Sequence, residues 1–182
     1  SLTAPRIGAA VSLDNGATWK DLGFVLEAPA DSLFCETQNH YFAGGNGDFC
    51  VNLDPQKEHF YFFISTYHKN TSEQGLAVAR VPYANRKSPV GKASKWHRGG
   101  WTEPGIGGQV SPIFPVKSDW NRLDADTFWG PSVHWNTHLN QYVMLLNRAI
   151  DKDWKQEGIY ISFNTRLDNP AGWSAPRKLL DR

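Results

Sequence analysis

Apolar positions along this chain fall into short runs of strand length, separated by turns rich in Gly, Pro, Asn and Asp. The clearest unit is Phe128 to Trp135, a polar turn at His134 to Asn140, and then Gln141 to Asn147. Two such runs across a tight turn predict an antiparallel hairpin. The same unit stands earlier, as Asp48 to Leu53, a turn at Asp54 to Glu58, and His59 to Ser65. After each hairpin a further strand opens on glycine, Gly75 to Ala79 in one copy and Gly158 to Ser162 in the other. Ile7-Gly8 to Leu13 reads as a third such strand, and the chain is therefore a repeat.

Fourth strands are expected at Leu22 to Leu26, near Lys95 to Trp101, and at Lys178 to Leu180. Four-stranded repeats are the signature of propeller blades, with long inter-strand loops accounting for periods beyond roughly 40–50 residues. The predicted fold is all-β: one β-propeller domain of four-stranded antiparallel blades spanning 1–182. Residues 1–27 would end one blade, 46–101 form a second, 102–127 a long loop, and 128–182 a third. A two-sheet sandwich is the alternative, against which the recurring glycine-opened strand argues. About two and a half blades cannot close a ring of four to eight. With the start on Ser1, this leads to the expectation of a longer chain supplying the other blades, or of self-association.

The length of 182 residues, with 40% hydrophobic and 13% aromatic, is ample for a core. Lys plus Arg number 19 against 18 acidic residues, so nothing in the charge recruits nucleic acid or an anionic membrane. No apolar run approaches the roughly 20 residues of a membrane helix. Cys35 and Cys50 permit one disulfide at most and no structural zinc site. The compartment stays open, with a secreted or periplasmic location favoured. His134 and His138 are spaced as on a helix face but lie in a strand and turn, so no metal is expected. No cofactor is expected either. The glycine run at 43–47 leads into a strand and not a helix, which predicts close backbone approach in place of phosphate binding.

Ser12-Leu13-Asp14-Asn15-Gly16-Ala17-Thr18-Trp19 resembles the Asp-box of sialidases and related propellers, Ser-x-Asp-x-Gly-x-Thr-Trp. The resemblance implies a structural hairpin in which Asp14 bonds the turn and Trp19 packs inward. Asp168 to Trp173 resembles a degenerate copy. Asp48-Phe49-Cys50-Val51 and Trp129-Gly130-Pro131-Ser132-Val133 are similar to the blade openings of five-bladed glycoside hydrolases of family 43, Asp-Pro-Ser-Val and Glu-Gly-Pro-Ser-Val. The chain as a whole resembles bacterial propeller proteins of uncharacterised function.

The family 43 likeness implies Asp48 as base or pKa modulator, and places Trp129 where the family has its acid. Glycoside hydrolysis ordinarily uses two carboxyl groups. Asp126 is the substitute acid expected here, with Glu157, Asp124 and Glu73 as further carboxylates near strand openings. Trp129, Trp135 and Trp101 are the expected sugar-stacking platforms, and His134, Arg148 and Asn46 complete the expected binding set. The implied function is hydrolysis of a glycan or oligosaccharide in the central channel. The alternatives are a non-catalytic carbohydrate-binding propeller and a sialidase-like enzyme, the latter needing an arginine triad and a tyrosine nucleophile.

Overall fold

A computed structural model describes residues 1–181 as all-β, with antiparallel sheets and no α-helix among the described residues. Strands β1 (Ile7–Val11) and β2 (Lys20–Leu26) form a hairpin of their own. The middle sheet runs in order through β3 (Asn46–Leu53), β4 (His59–Thr66), β5 (Gly75–Pro82), β6 (Ser94–His97) and β7 (Gly100–Pro104). A two-residue strand, β8 (Phe114–Pro115), also pairs with β5. The last sheet is a four-stranded meander of β9 (Thr127–Asn136), β10 (Gln141–Ala149), β11 (Gln156–Asn164) and β12 (Arg177–Asp181). This arrangement is consistent with part of a β-propeller. The β1–β2 hairpin shares no sheet with β9–β12.

The expected single strand from Lys95 to Trp101 is instead two. Arg98 and Gly99 both take left-handed backbone, at φ 47° and 85°, and close a two-residue turn that pairs His97 with Gly100. Residues expected to form only loop, 102–127, therefore contribute the end of β7 and all of β8. The edge of β5 is shared, with β6 beside Ala79–Arg80 and β8 beside Gly75–Leu76.

This sharing gives a physical reason for the repeated glycine. Gly75 has φ 122°, and a Cβ there would stand 2.2 Å from the Phe114 carbonyl oxygen. A Cβ on Gly158 would stand 2.6 Å from the Leu180 carbonyl oxygen. In both sheets the third strand carries glycine at or near its start, the first residue of β5 and the third of β11, because a neighbouring strand's backbone passes where a side chain would be.

Period-two alternation buries both faces of the middle sheet. Phe63, Leu76 and Val78 face β9–β12, meeting Val133, Tyr142, Met144 and Leu146. Ile64, Ala77, Ala79 and Val81 face the other way, against Ile7, Val25 and Leu26 of the hairpin. Phe63 is fully buried and takes the edge of Trp173 at 5.5 Å, centroid to centroid. Burial of each large side chain in such a layer contributes roughly 1.5–3 kcal/mol. Polar links add register. The Val133 amide donates to Cys50 Sγ at 3.3 Å, and the Gly130 amide to Ser65 Oγ at 3.1 Å. Cys35 and Cys50 are both free, so no disulfide shares this work. Lys95, fully buried, donates to the carbonyls of Glu27 and Gly108 at 2.7 and 2.8 Å, and burial pushes its ammonium down to about 8.

In the Ser12–Trp19 turn, Asp14 accepts from the Thr18 amide and hydroxyl at 2.8 and 2.6 Å, and these bonds push its carboxyl down to about 2. Trp19 departs from the expected inward packing. Its ring is 66% exposed, with the indole N–H spent on the Gly16 carbonyl. In the later stretch the opposite holds, and Trp173 is buried in the core.

Phe63→Ala is expected to destabilise the protein by about 3–5 kcal/mol, since the cavity would open between two sheets that cannot both relax inward. Trp19→Ala, at an exposed ring, is expected to cost far less. Urea denaturation midpoints of the two variants against the parent check this ordering.

Candidate functional site

Asp48 sits near the opening of β3, where the register with β4 shifts between Gly47 and Cys50. Its φ of 40° is unusual for a residue with a side chain. Bulges and left-handed non-glycine residues gather where a side chain must be re-aimed. Here the carboxylate is turned into an open cavity of about 170 Å³, walled by Tyr41, Phe42, Tyr67, Trp129 and Trp154.

The wall is built by mutual packing. Phe42 stacks on Tyr67 with centroids 4.1 Å apart, and Trp154 presents its edge or face to Phe42, Tyr67 and Trp129 at 5.4, 5.6 and 5.6 Å. Trp154 projects from the β10–β11 turn with φ 56°. Asp151 braces that turn by accepting from the Asp153 and Lys155 amides, both at 3.0 Å. Gly130, at φ 60°, lets β9 pass Asn147, whose Nδ2 would lie 2.8 Å from an added Cβ.

Tyr67 Oη donates to Asp48 Oδ2 at 2.5 Å. Burial, followed by the charge of Asp48 and the bond to it, raises the Tyr67 phenol well above its ordinary range. Tyr67 is thus held protonated as a donor. Asp48 Oδ1 has no protein partner among the described residues, and none of the residues lining the cavity is Arg or Lys. Such a wall offers ring faces for stacking and one carboxylate to accept from a hydroxyl, a water or a cation.

Behind this wall, Asn46 Nδ2 lies 2.9 Å from His68 Nε2, and His68 Nδ1 lies 2.9 Å from Glu73 Oε2. Burial keeps His68 below the usual histidine range. Burial would raise Glu73, but the bond from His68 leads a set of interactions that bring it below the usual carboxylate value. The imidazole is therefore neutral, donating from Nδ1 and accepting at Nε2. Gln109 Nε2 closes the chain on Glu73 Oε1 at 3.1 Å. These groups anchor the opening of β3 two residues before Asp48.

Of the expected site residues, the structure brings Asp48 and Trp129 together. Asn46 is fully buried, its Nδ2 spent on His68 and the Gly45 carbonyl, and is closed off from solvent. Asp126 is gripped by the Arg148 fork at 2.8 and 2.6 Å, which occupies both carboxylate oxygens and the guanidinium together. Glu157 bonds Lys178 and accepts from Tyr160 Oη at 2.7 Å, and these two contacts lower its carboxyl, the wrong direction for a general acid. Trp101 packs against Tyr61 and Trp96 under the Arg80 guanidinium, 4.6 Å from its ring. His134 is exposed, paired with Val143 in the β9–β10 ladder. Trp135 lies at the far end of β9 from Trp129.

Four wall residues were not expected: Tyr41, Phe42, Tyr67 and Trp154. The signal for Trp154 was a large aromatic inside the charged turn Asp151 to Lys155, where neither strand periodicity nor turn chemistry calls for one.

No family model matches this sequence, and no curated protein does. Among solved structures, an α-L-arabinofuranosidase from Podospora anserina in complex with cellotriose aligns over 85% of this chain and 35% of its own length, at 15% identity and a TM-score of 0.47. The catalytic domain of a GH62 α-L-arabinofuranosidase from Coprinopsis cinerea aligns over the same shares at 18% identity and a TM-score of 0.47. The chain spans about a third of the length of either.

The neutral, buried His68 makes stability depend on pH. Its folded pKa lies below that of the unfolded chain, so the unfolded state binds more protons between the two values. The contribution is complete above about pH 6.5 and is lost as pH falls below it. Glu73 and Lys95 are the charged groups acting on this imidazole. Urea midpoints at pH 7.5 and 5.5 are expected to differ less in His68→Gln than in the parent, whereas equal differences would remove His68 from the linkage.

Proposed function

We propose that this chain supplies part of a five-bladed carbohydrate-active propeller, and that the Asp48 cavity binds a neutral sugar as part of a glycoside hydrolase site. In this reading β1–β2 ends one blade, β3–β8 form a second and β9–β12 a third. Leu145, Ile159, Ile161 and Phe163 lie half-buried on β10 and β11, with Leu179 and Leu180 exposed on β12, as a sheet would leave them for a further blade to cover.

The observation that carries the proposal is a single carboxylate set into an aromatic wall. Ring faces of Trp129 and Trp154 suit the apolar faces of a pyranose or furanose, and Asp48 Oδ1 is free to accept a hydroxyl. The resemblance of the β3 and β9 openings to family 43 supports the same placement. As base, Asp48 would take a proton from the attacking water while Tyr67 holds its other oxygen. The acid partner falls to neither Asp126 nor Glu157, each committed to cations. It would come from a blade beyond this chain.

That same shortage supports a second reading, a binding propeller without turnover, since the described cavity contains one carboxylate where hydrolysis needs two. A sialidase-like site is disfavoured, because no arginine lines the cavity to receive a carboxylated sugar and Tyr67 is kept from becoming a phenolate.

In the full-length protein, Asp48→Asn is expected to lower turnover of its glycoside roughly a hundredfold or more with little change in sugar affinity. Trp129→Ala is expected to weaken binding about tenfold. Glycoside release and calorimetric titration of the parent and both variants distinguish the readings. Undetectable turnover in the parent with intact, Trp129-dependent binding selects the binding propeller. Equal, measurable turnover in parent and Asp48→Asn removes Asp48 from the mechanism.

A further inference from the structure

We infer that a second cavity, at the opposite end of β3 and β9, is a separate binding site for a neutral oligosaccharide. β3 and β9 run side by side in the same direction, Gly130 bonding the Ser65 that pairs with Gly47 and Val133 bonding Cys50, so their openings hold Asp48 and Trp129 while Asp54 follows the end of β3 and Trp135 lies near the end of β9. Six residues of strand separate the members of each pair, roughly 20 Å at 3.3 Å per residue. The far cavity measures about 400 Å³, within the range of small-molecule sites. The β3–β4 turn, the β9–β10 hairpin and the segment after β11 enclose it.

Its platform is Trp135. The ring is 41% exposed but held edge-on against the buried Tyr142, with centroids 4.9 Å apart. An indole that is fixed on one side and open on the other is suited to stack a sugar ring at little entropic cost. The polar groups of the cavity divide into spent and free. Asp54 accepts from the Glu58 and His59 amides at 2.7 and 3.0 Å, one on each oxygen. Arg166 Nε and Nη2 are clamped by Asp168 at 2.9 and 2.6 Å. The Glu58 carboxylate, the Gln56 amide, the Thr165 hydroxyl and Arg166 Nη1 have no partner among the described residues, and all belong to exposed residues around the cavity.

A carboxylate, an amide, a hydroxyl and one guanidinium NH2 together read vicinal hydroxyl groups as acceptors and donors. The lining carries three carboxylates, Asp54, Glu58 and Asp168, against the single guanidinium of Arg166, which Asp168 already pairs. That acidic excess disfavours an anion, and the open Trp135 ring favours a sugar over a bare cation. A cation would have its best ligands in Asp54, Glu58 and His59, whose donor atoms lie within 4.8 Å of one another, and since each Asp54 oxygen accepts only one turn amide, calcium is the competing ligand that the test includes. No pair of free carboxylates faces the cavity, so the site binds and does not hydrolyse. The inference stands on this cavity alone and does not depend on Asp48.

The test uses the full-length protein labelled for indole N–H detection by NMR, titrated with cellotriose, xylotriose and maltotriose. At least one trisaccharide is expected to shift the Trp135 indole signal, and to do so unchanged in Trp129→Ala and Asp48→Asn. Trp135→Ala is expected to lose that class of site by at least tenfold in affinity while any binding dependent on Trp129 remains. Gln56→Ala and Glu58→Gln, both in an exposed turn, are expected to weaken it severalfold with the Trp135 signal in place, which separates loss of contact from loss of fold. No Trp135 shift with any trisaccharide overturns the inference. So does a shift that disappears in Trp129→Ala, or a calcium-induced shift where sugars give none.

Discussion

The apolar layer between β4–β5 and β9–β10 is the constraint on which the rest of this structure depends. Phe63, Leu76 and Val78 on one side and Met144, Leu146 and Val133 on the other leave no freedom of register, because a one-residue slip would carry each of them to the opposite face of its sheet. Cys50 and Ser65 then tie β3 and β4 to the backbone of β9. Once β3 and β9 are fixed side by side and in the same direction, their openings coincide and their far ends coincide. Both cavities are consequences of that alignment.

Two of the left-handed non-glycine residues line the Asp48 cavity. Asp48 and Trp154 both take left-handed backbone without being glycine, conformations that cost about 1–3 kcal/mol each and persist only where neighbours over-determine them. The neighbours are identifiable. The Asn46–His68–Glu73–Gln109 chain holds the backbone before Asp48, Tyr67 holds its carboxylate, and Asp151 holds the turn that presents Trp154. Asn46 Oδ1 is the buried acceptor this polar chain leaves without a partner, while its donors are all engaged. The place of the polar chain directly behind the carboxylate makes it a scaffold for aim, where an apolar core would supply only volume.

Charge pairing sorts the carboxylates by role. Asp126 and Glu157 sit near strand openings, as a channel acid would, yet Arg148, Tyr160 and Lys178 bind them into one partly buried network. Removing one partner from such a network leaves another charge uncompensated, which gives it a structural role at the edge of the core. Asp48 differs in having a neutral partner, the Tyr67 phenol, and one free oxygen.

The sequence by itself determined the all-β class, nearly all the strand positions, the two repeated hairpins and the conjunction of Asp48 with Trp129. These are legible because alternation and turn residues act over a few neighbours, and the two site residues occupy equivalent places in the repeat. Gly75 and Gly158 were visible as landmarks, but only the approach of the Phe114 and Leu180 carbonyls shows why no side chain fits there. The division of Lys95 to Trp101 into two strands turned on the left-handed pair Arg98–Gly99, with arginine an uncommon residue for that backbone. The tertiary structure decided which carboxylate is free and which is paired, that Asn46 is scaffold and not ligand contact, and that Tyr41, Phe42, Tyr67 and Trp154 meet around one aspartate. Such matters depend on what lies across space from a residue, and a chain read in one dimension carries no measure of that distance.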